Sequence, residues 1–171
     1  MLSLCTTSRV FGTFALCATL AACSGADWKN SQVAQGYQPP KQLSVVVTVN
    51  ADHEDLPEAV EVLIETLCDE LESEDIATTV VQGQAPPPGA QLAVVDWDPG
   101  SRGARWFFGF GPGKGHMTLS VSVTRPDGTP AITGEVEGWV KGGFFGGSAN
   151  TSAEEAGVAI AEAIIEGEID E

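Results

Sequence analysis

The segment Met117-Thr-Leu119-Ser-Val121-Ser-Val123-Thr124 alternates apolar and hydroxyl side chains without interruption. A period of two puts successive side chains on opposite faces of a pleated strand, which commits the chain to a sheet with one dry face and one wet face. A half-wet sheet is predominantly antiparallel, because parallel sheets are normally covered on both sides. Arg125-Pro126-Asp127-Gly128 supplies a hairpin turn, and the return strand runs from Ala131 to about Val140 with Ile132, Val136 and Val140 toward the core. A hairpin centred near Asp127 and Gly128 pairs positions whose numbers sum to about 255, so Met117 lies opposite Gly138. Gly134 and Gly138 share the inward face and leave room for a closely packed helix.

The remaining elements arrange themselves around that hairpin. Leu43-Ser-Val45-Val-Val47-Thr-Val49 is rich in β-branched residues and predicts a strand with Leu43, Val45, Val47 and Val49 on one face. Asp55-Leu-Pro57-Glu58 predicts a helix start, with Asp55 as cap and Pro57 in the first turn. Leu56, Ala59, Val60, Leu63, Ile64, Leu67 and Leu71 form that helix's apolar stripe. Glu58, Glu61, Glu65, Asp69, Glu70 and Glu72 read as its solvated surface. Ile76 to Gln82 and Leu92 to Trp97 predict two more strands, separated by the breaker Ala85-Pro-Pro-Pro-Gly89. Thr151-Ser152-Ala-Glu154-Glu155 carries overlapping capping boxes and opens a last helix, whose stripe Ala153, Ala156, Ile160, Ala163 and Ile164 is mostly small. The order β-α-β-β-β-β-α predicts an α+β fold: a mainly antiparallel sheet of about five strands with two helices on one face.

The amino-terminal part reads differently. Val10 to Leu20 is an uncharged apolar run after Arg9, of signal-peptide length and too short to span a bilayer. It closes in Leu20-Ala21-Ala22-Cys23, which resembles the lipobox of bacterial lipoproteins; the alternative is an ordinary small-residue cleavage site with Cys23 incidental. Residues 1–22 are thus expected to be a lipoprotein signal peptide, 23–42 a lipidated tether, and 43–171 a single domain. The stretch from Ser24 to Gln42 is polar, ends in Tyr37-Gln-Pro39-Pro40 and shows no sustained apolar period. As an extended tether it would reach roughly 60 Å at about 3.3 Å per residue. Lipid on Cys23 would make membrane lipid the first partner, with each buried methylene contributing about 0.8 kcal/mol. Ser24 stands where inner-membrane retention signals often carry Asp, so the lipobox resemblance favours the outer membrane, facing the periplasm.

Charge and cysteine content narrow the function classes. With 24 acidic and 8 basic side chains the formal charge is −16, which repels nucleic acid. A hydrophobic content of 43% in patterned segments opposes global disorder. Cys68 is the one cysteine after Cys23, so the mature chain has no internal disulfide, and its place in a helical pattern suggests burial.

Gly111-Pro-Gly113-Lys-Gly115, followed by the alternating strand, the Asp127-Gly128 turn, the return strand, a glycine-rich loop and an Ala-rich helix, resembles a family of uncharacterised bacterial lipoproteins. That family carries a G-x-G segment before a strand ending in a longer, D-x-x-T-G-like turn. The likeness spans about residues 109 to 166. The domain is also similar to small α+β modules of envelope-assembly lipoproteins, including those of curli and exopolysaccharide secretion and the amino-terminal domain of the Tol-system periplasmic protein. The resemblance implies a binding or assembly role toward an unidentified envelope protein or polymer.

No catalytic, metal or cofactor constellation stands out. Gly109 to Gly115 fails as a Walker loop, because Phe108 and Gly115 occupy positions needing Gly and Ser or Thr. His53 and His116 have no paired-ligand spacing. Asp96 and Asp98 share one side of a strand end, where turn formation is the simpler role; as glycosidase carboxylates they are poorly disposed, yet they are what a hydrolytic alternative would use. The conspicuous feature is a pair of aromatic, glycine-rich segments. Trp106, Phe107, Phe108 and Phe110 lie in the first, Phe144 and Phe145 in the second, and Arg102, Arg105, Lys114 and Lys141 flank them. They form either a satellite core over the sheet end or an exposed partner-binding surface, which the hairpin register would bring together.

Overall fold

A computed structural model describes residues 24–49, 56–100, 115–140 and 150–169. In chain order these form β1 (Ser24–Val33), β2 (Gln42–Val49), α1 (Leu56–Ser73), β3 (Ala77–Val80), β4 (Gly89–Asp98), β5 (Gly115–Thr124), β6 (Pro130–Val140) and α2 (Asn150–Glu166). The fold is α+β, with a six-stranded mixed sheet in the order β1-β6-β5-β4-β2-β3.

The β5–β6 hairpin has the register its turn dictates. Met117 faces Gly138 and Leu119 faces Val136, both pairs summing to 255. Along β5 the odd positions Met117, Leu119, Val121 and Val123 are buried, and the intervening hydroxyls line the opposite face. Arg125 and Thr129 close the turn by backbone bonds, while Asp127 Oδ1 accepts from the Thr129 N–H at 2.9 Å and Oγ1 at 2.6 Å. Those bonds hold the exposed Asp127 carboxyl below the usual carboxylate range.

Two expectations change. The sheet is antiparallel in three of its five pairings, as expected in the main, but it has six strands and is mixed, because β2 pairs in parallel with both β3 and β4. An 18-residue helix between β2 and β3 carries the chain back to its starting end, and the return strand must then run in the same direction. Val46 is buried on the face opposite Leu43 and Val45, whereas Gln42 and Thr48 on that same face are exposed and Val49 at the tip is 48% exposed. The second correction concerns residues 24–42, expected to be a tether: Ser24–Val33 is a sixth strand, antiparallel to β6 along its whole length. Ala26 and Trp28 turn inward and Trp28 is buried, a contribution of roughly 2–3 kcal/mol that fixes the strand. The alternation is short because Asn30, at φ 51°, and Ser31 form a bulge between Lys29 and Gln32. Gly134 makes that bulge possible: a Cβ there would stand 3.0 Å from Ser31 Cα and 3.2 Å from the Trp28 ring. Gly134 therefore accommodates β1, and not the helix expected over it.

Gly138 does admit the helix, since a Cβ would fall 1.9 Å from the Ser152 carbonyl oxygen of α2. Small residues also let the helices meet; Gly157 of α2 lies against the Leu63 carbonyl and Thr66 of α1. Leu56, Ala59, Leu63, Leu67 and Leu71 of α1 join Ala153, Ala156, Ile160 and Ile164 of α2 in one core with the dry face of the sheet. Cys68 sits half-buried at the edge of the α1 stripe. The helix ends in a left-handed Asp75, where the Ile76 N–H reaches back to the Leu71 carbonyl and both apolar side chains are buried. Asp55, its expected cap, lies outside the described residues.

Candidate functional site

The wet face of the sheet carries the described groups able to recognise a ligand or partner. A bulge at Val95 places them. It shifts the β4 register between Val94 and Asp96, which returns Trp97 to the core and leaves both Asp96 and Asp98 on the wet face. Cross-strand pairing then makes two rows at one end of the sheet: Gly25, Trp139, His116 and Asp98 in the first, and Asp27, Glu137, Thr118 and Asp96 in the second.

Neighbouring strands lie about 4.8 Å apart, so side chains in these rows reach one another. The Trp139 indole lies over Gly25, where a Cβ would meet the ring at 3.0 Å, and its Nε1 donates to Asp27 Oδ2 at 2.7 Å. Lys29 pairs with Glu137, which raises the lysine's pKa. His116 Nε2 and Asp96 Oδ2 are 2.8 Å apart, and the other Asp96 oxygen accepts from the Trp97 backbone N–H at 3.0 Å. The His116 hydrogen bond is the main reason the Asp96 carboxyl sits below its ordinary value. Asp98 Oδ1 instead accepts from the Gly100 N–H at 2.8 Å, the turn role expected for it.

This arrangement offers an aromatic ring, carboxylates and hydroxyls on an open surface. No hydroxyl nucleophile is bonded to His116 among the described residues, and no group of three or more potential metal ligands occurs among them. Sequence reasoning passed over Trp139 and Asp27; the pointer to Trp139 was the wet-face series Glu135, Glu137, Trp139 along the return strand.

Cys23 and the aromatic and basic residues singled out above (Trp106, Phe107, Phe108, Phe110, Lys114, Lys141, Phe144 and Phe145) lie outside the described residues. Their flanks do not. Gly115, which follows the first segment, pairs with Val140, which precedes the second, and Val140 also pairs with Ser24. At the opposite end, a cavity of about 300 Å³ is bounded by Tyr37, Pro39, Pro40, Pro88, Arg125 and Pro126. Tyr37 is held there by donating its hydroxyl to the Ile164 carbonyl at 3.0 Å.

Together these features define a class of fold: a mixed six-stranded sheet with two helices packed against one face and a polar, aromatic-bearing surface on the other. No family model matches the sequence, and no curated protein is similar to it. Among solved structures, the chain is similar to PelC of Paraburkholderia phytofirmans, solved as a dodecamer, with a TM-score of 0.56, 9% identity, and coverage of 82% of this chain and 98% of that one. A second PelC dodecamer, carrying a point substitution, gives a TM-score of 0.54 at 11% identity over the same shares. At such identity the likeness is one of fold.

Proposed function

We propose that the protein is a lipoprotein of the bacterial envelope, acylated at Cys23 and held on the outer membrane facing the periplasm, with a non-enzymatic binding or assembly role. The observation that carries this reading is Leu20-Ala21-Ala22-Cys23, a small-residue cleavage motif ending in a cysteine directly ahead of the folded domain. The fold likeness to PelC dodecamers supports assembly as the kind of task, and family membership among lipoproteins with the Gly-rich segment and Asp-Gly turn belongs to the same proposal. Its partner is another envelope protein or polymer, engaged through Trp106, Phe107, Phe108, Phe110, Phe144 and Phe145 with Lys114 and Lys141 at the rim. Among the described residues no helix is long and apolar enough to cross a membrane.

Cys23→Ser tests the anchor: the variant is expected to incorporate no labelled palmitate, and incorporation at the wild-type level would defeat the proposal. One observation favours a second reading. The hydrogen bond between Asp96 and His116 is the kind of contact that orients a general base, as a hydrolase acting on envelope material would need. Alanine at Asp96 and Asp98 separates the two, because loss of a measurable hydrolytic activity with the fold retained would favour the enzyme.

A further inference from the structure

We propose that the cavity of about 300 Å³ beside the β5–β6 turn binds a free, small aromatic carboxylate, with its ring against Tyr37 and the surrounding prolines and its anionic group on Arg125. The site is independent of the lipid anchor, because every residue around it belongs to the described fold at the end of the sheet remote from Ser24. Three chain segments enclose it: 36–40 after β1, Pro88 ahead of β4, and 124–126 at the close of β5. Each is tied in place without a ligand. The Ala34 N–H donates to the Ala131 carbonyl at 2.7 Å, the Ser44 N–H to the Pro88 carbonyl at 3.1 Å and the Arg125 N–H to the Thr129 carbonyl at 2.9 Å, while the Tyr37 hydroxyl holds Ile164. A cavity whose walls are already ordered costs a ligand little reorganisation.

Four of the nine lining residues are prolines, which have no N–H to offer and no rotamers to lose on binding. The lining is therefore apolar and poor in donors. The Tyr37 hydroxyl is spent on Ile164, and Thr124 Oγ1 both accepts from the Gly89 N–H and donates to the Gly89 carbonyl, each at 3.2 Å. Arg125 is different. Its Nη2 donates to the Gln35 carbonyl at 3.0 Å, which fixes the guanidinium and leaves most of its five N–H groups for another acceptor. Asp127, two positions on, instead accepts from Thr129 with Oδ1, and among the described residues no carboxylate stands within ion-pair distance of Arg125. In a chain with a formal charge of −16, a half-buried arginine left without a carboxylate partner favours an anion from outside, and its planar fork matches a carboxylate. The walls decide the rest of the ligand. Pyrrolidine and phenol surfaces stack a flat ring at less cost than a flexible chain, which would lose rotamer freedom there. Ligand cavities run from roughly 300 to 1,000 Å³, so this one, at the small end, suits one or two rings.

The probes are indoleacetate and its neutral isostere indoleacetamide, titrated calorimetrically into the full chain at neutral pH, where only the first is charged. Indoleacetate is expected to bind and the amide to bind at least about tenfold more weakly, and Arg125→Gln is expected to bring the two within about twofold by weakening the acid. Acetate at the same concentration is expected to displace little of the indoleacetate. No binding of the acid up to millimolar concentration, equal affinities for the two probes, a preference that survives Arg125→Gln, or full displacement by acetate each overturns the proposal. Should the variant fail to fold, the wild-type chain decides alone. In isotope-labelled protein, indoleacetate is expected to shift the backbone amide resonances of Gly36, Gln38 and Arg125 and to leave those of Thr118 and Glu135 on the wet face unmoved. Shifts that spare the first three amides overturn the site, even if the acid binds.

Discussion

Tyr37 shows how much one side chain outside any strand or helix can do. Its hydroxyl satisfies the Ile164 carbonyl in the last turn of α2, an acceptor that the helix cannot pair internally, while its ring packs under Gly167 at φ 68°. Burial pushes its pKa up to about 12. A raised phenol pKa contributes stability that is fully present below the unfolded value near 10 and is lost as pH rises through the folded one. Tyr37 is the one tyrosine of the chain, so tyrosinate absorbance follows it directly. Its midpoint is expected near 12 in native protein and about two units lower in denaturant; a native midpoint near 10 would mean that the ring is not buried. Tyr37→Phe is expected to cost about 1 kcal/mol in urea unfolding. Asp96 works on the acid side. Its depressed pKa contributes stability above the unfolded value of about 3.9 and loses it as pH falls through the folded value. The melting-temperature gap between wild type and Asp96→Asn should therefore be small but present at neutral pH, since the side chain is largely exposed, and should close below about pH 4.

Among the elements, β1 departs furthest from its sequence. Its inward face offers only Ala26 and Trp28 before the bulge, and its outer face carries Asp27 and Lys29, whose partners Trp139 and Glu137 are supplied by β6. A strand held by so few groups depends on its one large ring. Trp28→Ala is expected to lower unfolding free energy by about 3–5 kcal/mol and to release amide protection across 24–33 before the rest of the sheet. Hydrogen exchange that finds these amides unprotected in the wild type would restore the expected tether. In α2 the small stripe has a related logic. Gly138 and Gly157 bring the helix against β6 on one side and α1 on another, so closeness replaces side-chain bulk as the source of contact.

For the whole molecule, topology gathers at one end what the sequence keeps far apart. The residues flanking both aromatic segments and the residue after Cys23 meet in the pairings among Ser24, Val140 and Gly115. If the aromatic segments engage a partner, Phe110→Ala with Phe145→Ala should reduce crosslinking in intact cells and leave thermal stability nearly unchanged. If the rings form a satellite core, the same pair should lower stability by a few kcal/mol. Measuring both quantities on the double variant separates the outcomes.

The hairpin from Met117 to Val140 was legible from the chain because every force acting on it is local. Strict alternation, a turn with an Asp-Gly pair and a register counted from that turn leave one pairing open. The stripe of α1 was legible for the same reason, its period being visible within a few turns. What the sequence left open is what depends on distant partners. β2 became a parallel strand between β3 and β4 because α1 returns the chain to its starting end, and nothing within Leu43 to Val49 encodes those neighbours. Asp96 came to face His116 because a bulge at Val95 shifts the register, and β1 exists because Gly134, some hundred positions away, leaves room for Trp28 and Ser31. Local periodicity sets which face of an element is dry, whereas an edge strand with one large apolar side chain is stabilised only by the surface it lands on, and that surface exists only in the folded protein.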